Sequence, residues 1–405
     1  MKMKKFWKIK LSTIIIVLLY FVGFSTIADV YLPFYGFIKY ILLALIALYL
    51  ANKFTFLFGN KIPSLVLIIN ILLLLLSFCL ILTSLFNRSS SISTGDYLYR
   101  SIIFVLSIVE SFFLIEFFAM HGQMQDIYRI FFKLTTLFNL LCDFIIIVYP
   151  QMVIKYEDVY FLGTKFNVVY SHIFMLILYR LCKKSNHLLS NVLLYCACIW
   201  SILIAIMVDC MTGLIGIVIF IIMDILFKKK PKSITSPWKY LILIAFSALF
   251  VLTYNIILKI PAIEYILTNI LNTQNDLTGR GWIYSIIGKV LLQKPFLGNG
   301  YSSSYDVMMN FMHAPNTQNG LMEWLIEGGI TSTIFFLLLV WVIFKMADKN
   351  WNGNGIAQVC TVLYILAIFA TVEITLNRTF YIIWLALLLG ASIENCQNIC
   401  YKCRS

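Results

Sequence analysis

The chain has 405 residues, of which 61% are apolar and 12% charged, and its mean hydropathy is +0.91. Soluble domains carry about a quarter charged residues, so a water-soluble globule is excluded, and 16% aromatics with long Ile/Leu runs exclude disorder. The net charge of +13 falls in short bursts between apolar runs, as in the loops of a polytopic membrane protein and not on one nucleic-acid-binding face.

Crossing the hydrocarbon core takes roughly 20 apolar residues. In chain order such runs fall at 11–27, 34–51, 63–86, 101–120, 130–149, 166–182, 188–208, 212–227, 238–259, 329–345, 356–377 and 379–393. The expected fold class is all-α, a polytopic membrane protein of about 12 transmembrane helices. The 212–227 run is short, and 188–227 also reads as a helical hairpin around Asp209. No Ala-x-Ala cleavage site follows the first run, which reads as a retained helix.

Most basic residues fall on one side of this alternation: Lys2, Lys4, Lys5, Lys8 and Lys10, then Lys53 and Lys61, Arg129 and Lys133, Arg180, Lys183 and Lys184, Lys228, Lys229, Lys230, Lys232 and Lys239, Lys345 and Lys349, Lys402 and Arg404. The positive-inside rule then puts both termini in the cytoplasm and the long 260–327 connection outside. The division is 1–259 for the first nine spans, 260–328 for an extracytoplasmic loop with amphipathic helices, and 329–405 for the last three spans and a cytoplasmic tail. Cys396, Cys400 and Cys403 cluster in that tail without a nearby fourth ligand, so neither a metal nor a cofactor is expected.

Within the loop, Ile283, Ile286, Ile287, Val290 and Leu291 repeat at the spacing of an amphipathic helix, with Lys289 and Lys294 off the stripe. Such a helix, capped by Asp276 or Thr278, would lie on the membrane surface or cover a cavity. Arg280 near its N-terminus offers a planar donor fork for phosphate oxygens; the alternative is a lipid headgroup or a pair with Asp276. The turn Lys294-Pro295-Phe296-Leu297-Gly298-Asn299-Gly300-Tyr301 follows. Past Pro315, a helix capped by Asn316 or Thr317 would align Asn316, Asn319, Glu323 and Glu327 on one face, a polar stripe suited to a wet cavity.

Ionisable groups also stand within the apolar runs. Asp143, His172 and Asp209 are expected toward the outer halves of their spans, Glu110 and Glu116 deeper, and Glu373 as a partner of Arg378 five residues on.

Gly279-Arg280-x-Trp282, then Pro295-x-x-Gly298-x-Gly300, then Asn316 ahead of Leu321 and Glu327-x-Gly329-Ile330 resembles the O-antigen ligase/polymerase superfamily, best its Wzy-like repeat-unit polymerase branch. The motif stretch covers about 279–330, and the span count and single large outer loop match over the full length. Gln318-Asn319 stands where ligases often carry His-Asn, and Asp209-Cys210-Met211-Thr212-Gly213 lacks an Arg of the ligase pattern; both favour the polymerase.

The resemblance implies polymerisation of undecaprenyl-pyrophosphate-linked oligosaccharide repeats at the outer face of the bacterial plasma membrane. The enzyme would be a metal-independent glycosyltransferase working beside membrane lipid, with a chain-length regulator and a flippase as partners and no nucleic acid. The chain contains no Asp-x-Asp, so the leaving diphosphate must be balanced by cations and oriented donors. Arg280 is the first candidate and Arg378 the second, with Arg88, Arg100, Lys259 and Lys289 weaker. His313, Glu323 and Glu327 are candidate bases for the acceptor hydroxyl. Asn316 and Asn319 would position sugar hydroxyls, and Trp282 would touch substrate. The competing readings are an O-antigen ligase and a lipid-linked-oligosaccharide flippase; a flippase would show paired repeats and short loops throughout.

Overall fold

The computed structural model describes residues 10–24, 26–53, 63–88, 96–183, 188–227, 231–258, 260–265, 269, 280–353 and 355–402. Among them the chain is all-helical, with one isolated β-bridge, Tyr160 to Gly163, and no strand. The helices are α1 (Leu11–Gly23), α2 (Tyr35–Ala51), α3 (Ser64–Phe86), α4 (Tyr97–Met120), α5 (Met124–Val148), α6 (Pro150–Lys155), α7 (Lys165–Cys182) and α8 (Leu188–Met207). They continue with α9 (Met211–Phe227), α10 (Pro237–Ile257), α11 (Pro261–Tyr265), α12 (Arg280–Leu291), α13 (Ser304–Met312), α14 (Gly320–Lys349), α15 (Ile356–Phe369) and α16 (Thr379–Lys402). Among the described residues, seven helices are long and apolar enough to cross a membrane: α3, α4, α5, α8, α10, α14 and α16. The protein is therefore a polytopic, membrane-embedded helical bundle.

Burial follows hydrophobic pattern. α16 is apolar all round over Phe380 to Leu389, and Tyr381 through Leu389 are each 0% exposed; such a helix belongs in the middle of a bundle. It packs against α4, α14 and α15. At the periphery, α8 exposes Leu189, Leu193, Ile199 and Ile206, an apolar face suited to acyl chains. The α8–α9 hairpin turns at Asp209, which adopts φ 51° and pairs with Lys165 at 3.6 Å.

Two stretches differ from the expected elements. α15 stops at Phe369, so the 356–377 run is a 14-residue helix about 21 Å long followed by an irregular 370–378 segment. α14 starts at Gly320, well before the expected 329, and is broken at Gly329 (φ 65°, ψ −174°). A helix break leaves backbone N–H and C=O groups unpaired, which is costly in hydrocarbon unless protein supplies partners.

The Pro295–Tyr301 turn supplies them. Asn299 N–H donates to Ile326 C=O and Gly300 N–H to Glu327 C=O, both at 2.8 Å; Ile330 N–H donates to Pro295 C=O at 2.8 Å and Thr331 N–H to Phe296 C=O at 3.2 Å. The approach is backbone on backbone: a Cβ on Gly298, which has φ +67°, would stand 2.4 Å from Gly329 N. The Gly-Asn-Gly turn and the Glu-Gly-Gly kink are thus one device, and it holds Glu327 in place.

Candidate functional site

α12 opens with Arg280 and carries the expected stripe: Ile283, Ile287 and Val290 are buried, Ile286 and Leu291 half-buried. Tyr284 joins them, and together they pack on Val251 and Tyr254 of α10, Met308 and Met312 of α13, and Met322 and Ile326 of α14. The helix therefore caps a small separate core at the end of the bundle. The Tyr254 hydroxyl donates to Gly281 C=O at 2.7 Å, and the Tyr284 hydroxyl donates to Gln318 C=O at 2.9 Å. Burial pushes the Tyr284 hydroxyl well above its ordinary pKa. Asp276 and Thr278, the expected caps, lie outside the described residues.

The anchoring of α12 aims Arg280 at the 370–378 segment. Its Nη2 donates to Glu373 Oε1 at 2.8 Å, with the two side chains 17% and 11% exposed. Glu373 thus pairs with Arg280, not with Arg378 as the sequence suggested. Burial raises the Glu373 carboxyl, the Arg280, Arg378 and Lys165 charges oppose that, and the balance leaves it pushed up to about 7. The segment is fixed from both sides, since Ala370 C=O accepts from Gly320 N–H at 2.8 Å and the Thr375 hydroxyl donates to Leu366 C=O at 2.7 Å.

Glu373 and Arg378 line a cavity of about 440 Å³ together with Asn316, Gln318, Tyr170 and Lys39, within the range of roughly 300–1,000 Å³ usual for ligand clefts. Lys39 and Arg378 face one lining carboxylate, and that carboxylate already bonds a third cation, Arg280. The cavity favours an anion.

Glu323 and Glu327 are each 4% exposed and do not line this cavity. Glu323 Oε2 accepts from the Ser304 hydroxyl and the Thr317 hydroxyl, both at 2.8 Å, and from Thr317 N–H at 3.3 Å. Glu327 Oε2 accepts from Asn377 Nδ2 at 3.2 Å. Arg378 is within electrostatic reach of both. Tyr301 stacks on Phe104 with ring centres 4.3 Å apart.

The remaining candidates separate. Asn316 lines the cavity while its Oδ1 accepts from Gln318 N–H at 2.9 Å. Asn319, 0% exposed, is the N-cap of α14 in place of Asn316 or Thr317. Its Oδ1 accepts from Leu321 and Met322 N–H, and its Nδ2 donates to Ser247 C=O at 2.8 Å and Thr371 C=O at 3.2 Å. Every bond it can make is used inside the protein, which leaves none for a sugar. With the helix starting at Gly320, Asn316 and Asn319 do not share a helical face with Glu323 and Glu327. His313 is exposed, takes φ 53° and ends α13; it does not line the cavity. Trp282 and Lys289 lie on the exposed face of α12. Arg88 pairs with Asp96 at 3.0 Å, Arg100 donates to the Ser302 hydroxyl at 3.0 Å, and Lys259 lies outside the described residues.

No protein-family model and no curated protein matches this chain. Sequence reading underrated Glu373, and the signal for it was the polar density of Glu373, Asn377 and Arg378 at the end of an apolar run. Within the bundle the structure joins two further candidates: His172 Nε2 and Asp143 Oδ1 are 3.1 Å apart, and Trp200 Nε1 donates to Asp143 Oδ2 at 2.7 Å. Glu116 accepts from Asn70 Nδ2 at 3.1 Å.

Proposed function

We propose that this protein is a polysaccharide repeat-unit polymerase. It would transfer an oligosaccharide from undecaprenyl pyrophosphate to a hydroxyl of the next lipid-linked repeat. In this reading it is a multi-pass protein of the bacterial plasma membrane with both termini cytoplasmic and the Arg280 loop outside. The observation that carries the reading is a cavity lined by Lys39, Arg378 and Glu373, with Arg280 of a loop helix bonded to Glu373 on the irregular inter-helix segment.

The arrangement divides the chemistry. The donor's anomeric C–O bond breaks as the acceptor oxygen bonds the anomeric carbon, and the departing diphosphate takes the electron pair. Arg378 and Arg280 balance that charge. The acceptor's proton goes to a carboxylate, and Glu373 is the one that lines the cavity, with a pKa near working pH where a general base is most effective. Glu323 and Glu327, taken as bases from the sequence, do not line the cavity. Electrostatic stabilisation by side chains needs no metal, so activity is expected to persist in EDTA. The test in cells is Arg280→Ala: polymer is lost while the protein stays in the membrane. Near-normal chain lengths would remove Arg280 as the phosphate contact.

A further inference from the structure

Lys39 is the one charged residue in the 17-residue helix α2. It sits four residues past the helix start, roughly 6 Å down the axis, on an element whose Phe37, Ile38 and Ile41 are exposed and so face acyl chains. An ammonium placed there is costly unless it meets a partner or a wet cavity, and intramembrane ionisable groups mark ligand paths for that reason. The structure gives Lys39 both: it lies within electrostatic reach of Asp29 and it borders a cavity. Its Nζ lies 4.9 Å from the centre of the Tyr35 ring, and it lines the same cavity as Arg378. Tyr35 is itself buried and donates its hydroxyl to Phe21 C=O at 3.0 Å, which fixes this turn of α2 against α1. Lys39 and Arg378 therefore reach one space from two elements far apart in the chain.

We propose that Lys39 is a second diphosphate contact, holding the lipid carrier's headgroup on the side where α2 meets the bilayer, so that the polyprenyl chain lies along the exposed face of α2. This rests on the polymerase reading and adds to it a residue and a direction of entry. Phosphate oxygens accept from Lys39 Nζ on the bilayer side and from the Arg378 guanidinium on the side of the 370–378 segment.

The test uses the full chain in nanodiscs with undecaprenyl diphosphate as probe, undecaprenol as the uncharged control and inorganic pyrophosphate as the tail-free control. Lys39→Ala is expected to weaken undecaprenyl diphosphate binding by roughly ten- to a hundredfold, the usual worth of a charged hydrogen bond. It should leave undecaprenol binding unchanged, and Lys39→Arg should restore most of the loss. Pyrophosphate should bind more weakly than the lipid and show the same dependence on Lys39. If Lys39→Ala and Lys39→Arg both bind undecaprenyl diphosphate like the parent while Arg378→Ala does not, the Lys39 assignment is wrong and the cavity reading stands. If Arg378→Ala also binds normally, the functional reading itself is wrong.

Discussion

Two arginine–carboxylate pairs sit at opposite ends of this bundle, each beside a cavity, and they differ in what surrounds them. At the far end Arg180 donates to Asp224 at 2.6 Å and to Asn191 at 2.7 Å, tying α7, α8 and α9 together with side chains 7% and 8% exposed for the ion pair. The cavity beside it, about 530 Å³, has Arg180 and Lys183 against Asp224 and Glu394 among its described lining residues. At the other end Arg280 bonds Glu373 across a loop helix and an irregular segment, and Arg378 and Lys39 line the cavity beside it. The same bond ties regular helices together in the first place and joins a loop helix to irregular backbone in the second. The backbone around it makes the difference, not the ion pair.

The sharpest way to break this contrast is to alter one member of each pair. Glu373→Gln removes the cavity's lining carboxylate and should lower turnover by roughly 10²–10⁴-fold, the range for loss of a general base, in an assay of chain extension on purified protein. A drop of less than tenfold would assign the base elsewhere. Arg280→Ala should cost roughly 10²–10³-fold, as loss of one transition-state donor does. Arg180→Ala should behave oppositely: breaking a buried pair costs about 3–5 kcal/mol of stability, so melting temperature falls while the protein that remains folded keeps its kcat. Loss of kcat with unchanged melting would make the far end a functional site.

Smaller effects sharpen the same comparison. Glu373 is protonated below about pH 7 because burial outweighs the opposing charges of Arg280, Arg378 and Lys165. Turnover should therefore rise with pH through that value. Arg280→Gln removes a cation that lowers the Glu373 pKa, so the midpoint in the residual activity should move to higher pH; a fixed or lowered midpoint would show that another group controls the profile. His313→Ala is the smallest: the side chain is exposed at a helix end, and chain extension should match the parent.

Periodicity made some of this visible in the sequence. The Ile283 to Leu291 stripe gave α12 and its buried face, because one side of a helix repeats at a fixed interval whatever it packs on. The hairpin at Asp209 was visible as two apolar runs with a polar break. The kink at Gly329 was not, since its partner turn lies some thirty residues earlier and only three dimensions join Gly298 to Gly329. Glu373 was hidden for a different reason. It follows a continuous apolar run, and hydropathy alone extends the helix through 377, while hydrogen bonds from Gly320, Tyr284 and Asn319 hold the 370–378 backbone out of helix. Asn319 carried the opposite error, because a polar residue beside two glutamates reads as a ligand contact until its four bonds are traced to backbone.

The central claim is that the cation-rich cavity performs glycosyl transfer between two lipid-linked substrates. The direct measurement places the purified protein in vesicles with a defined undecaprenyl-diphosphate-linked repeat and resolves the products by size. A ladder of lengthening chains, absent with Glu373→Gln, is the predicted result. Transfer of the intact repeat across the bilayer with no lengthening would contradict the account.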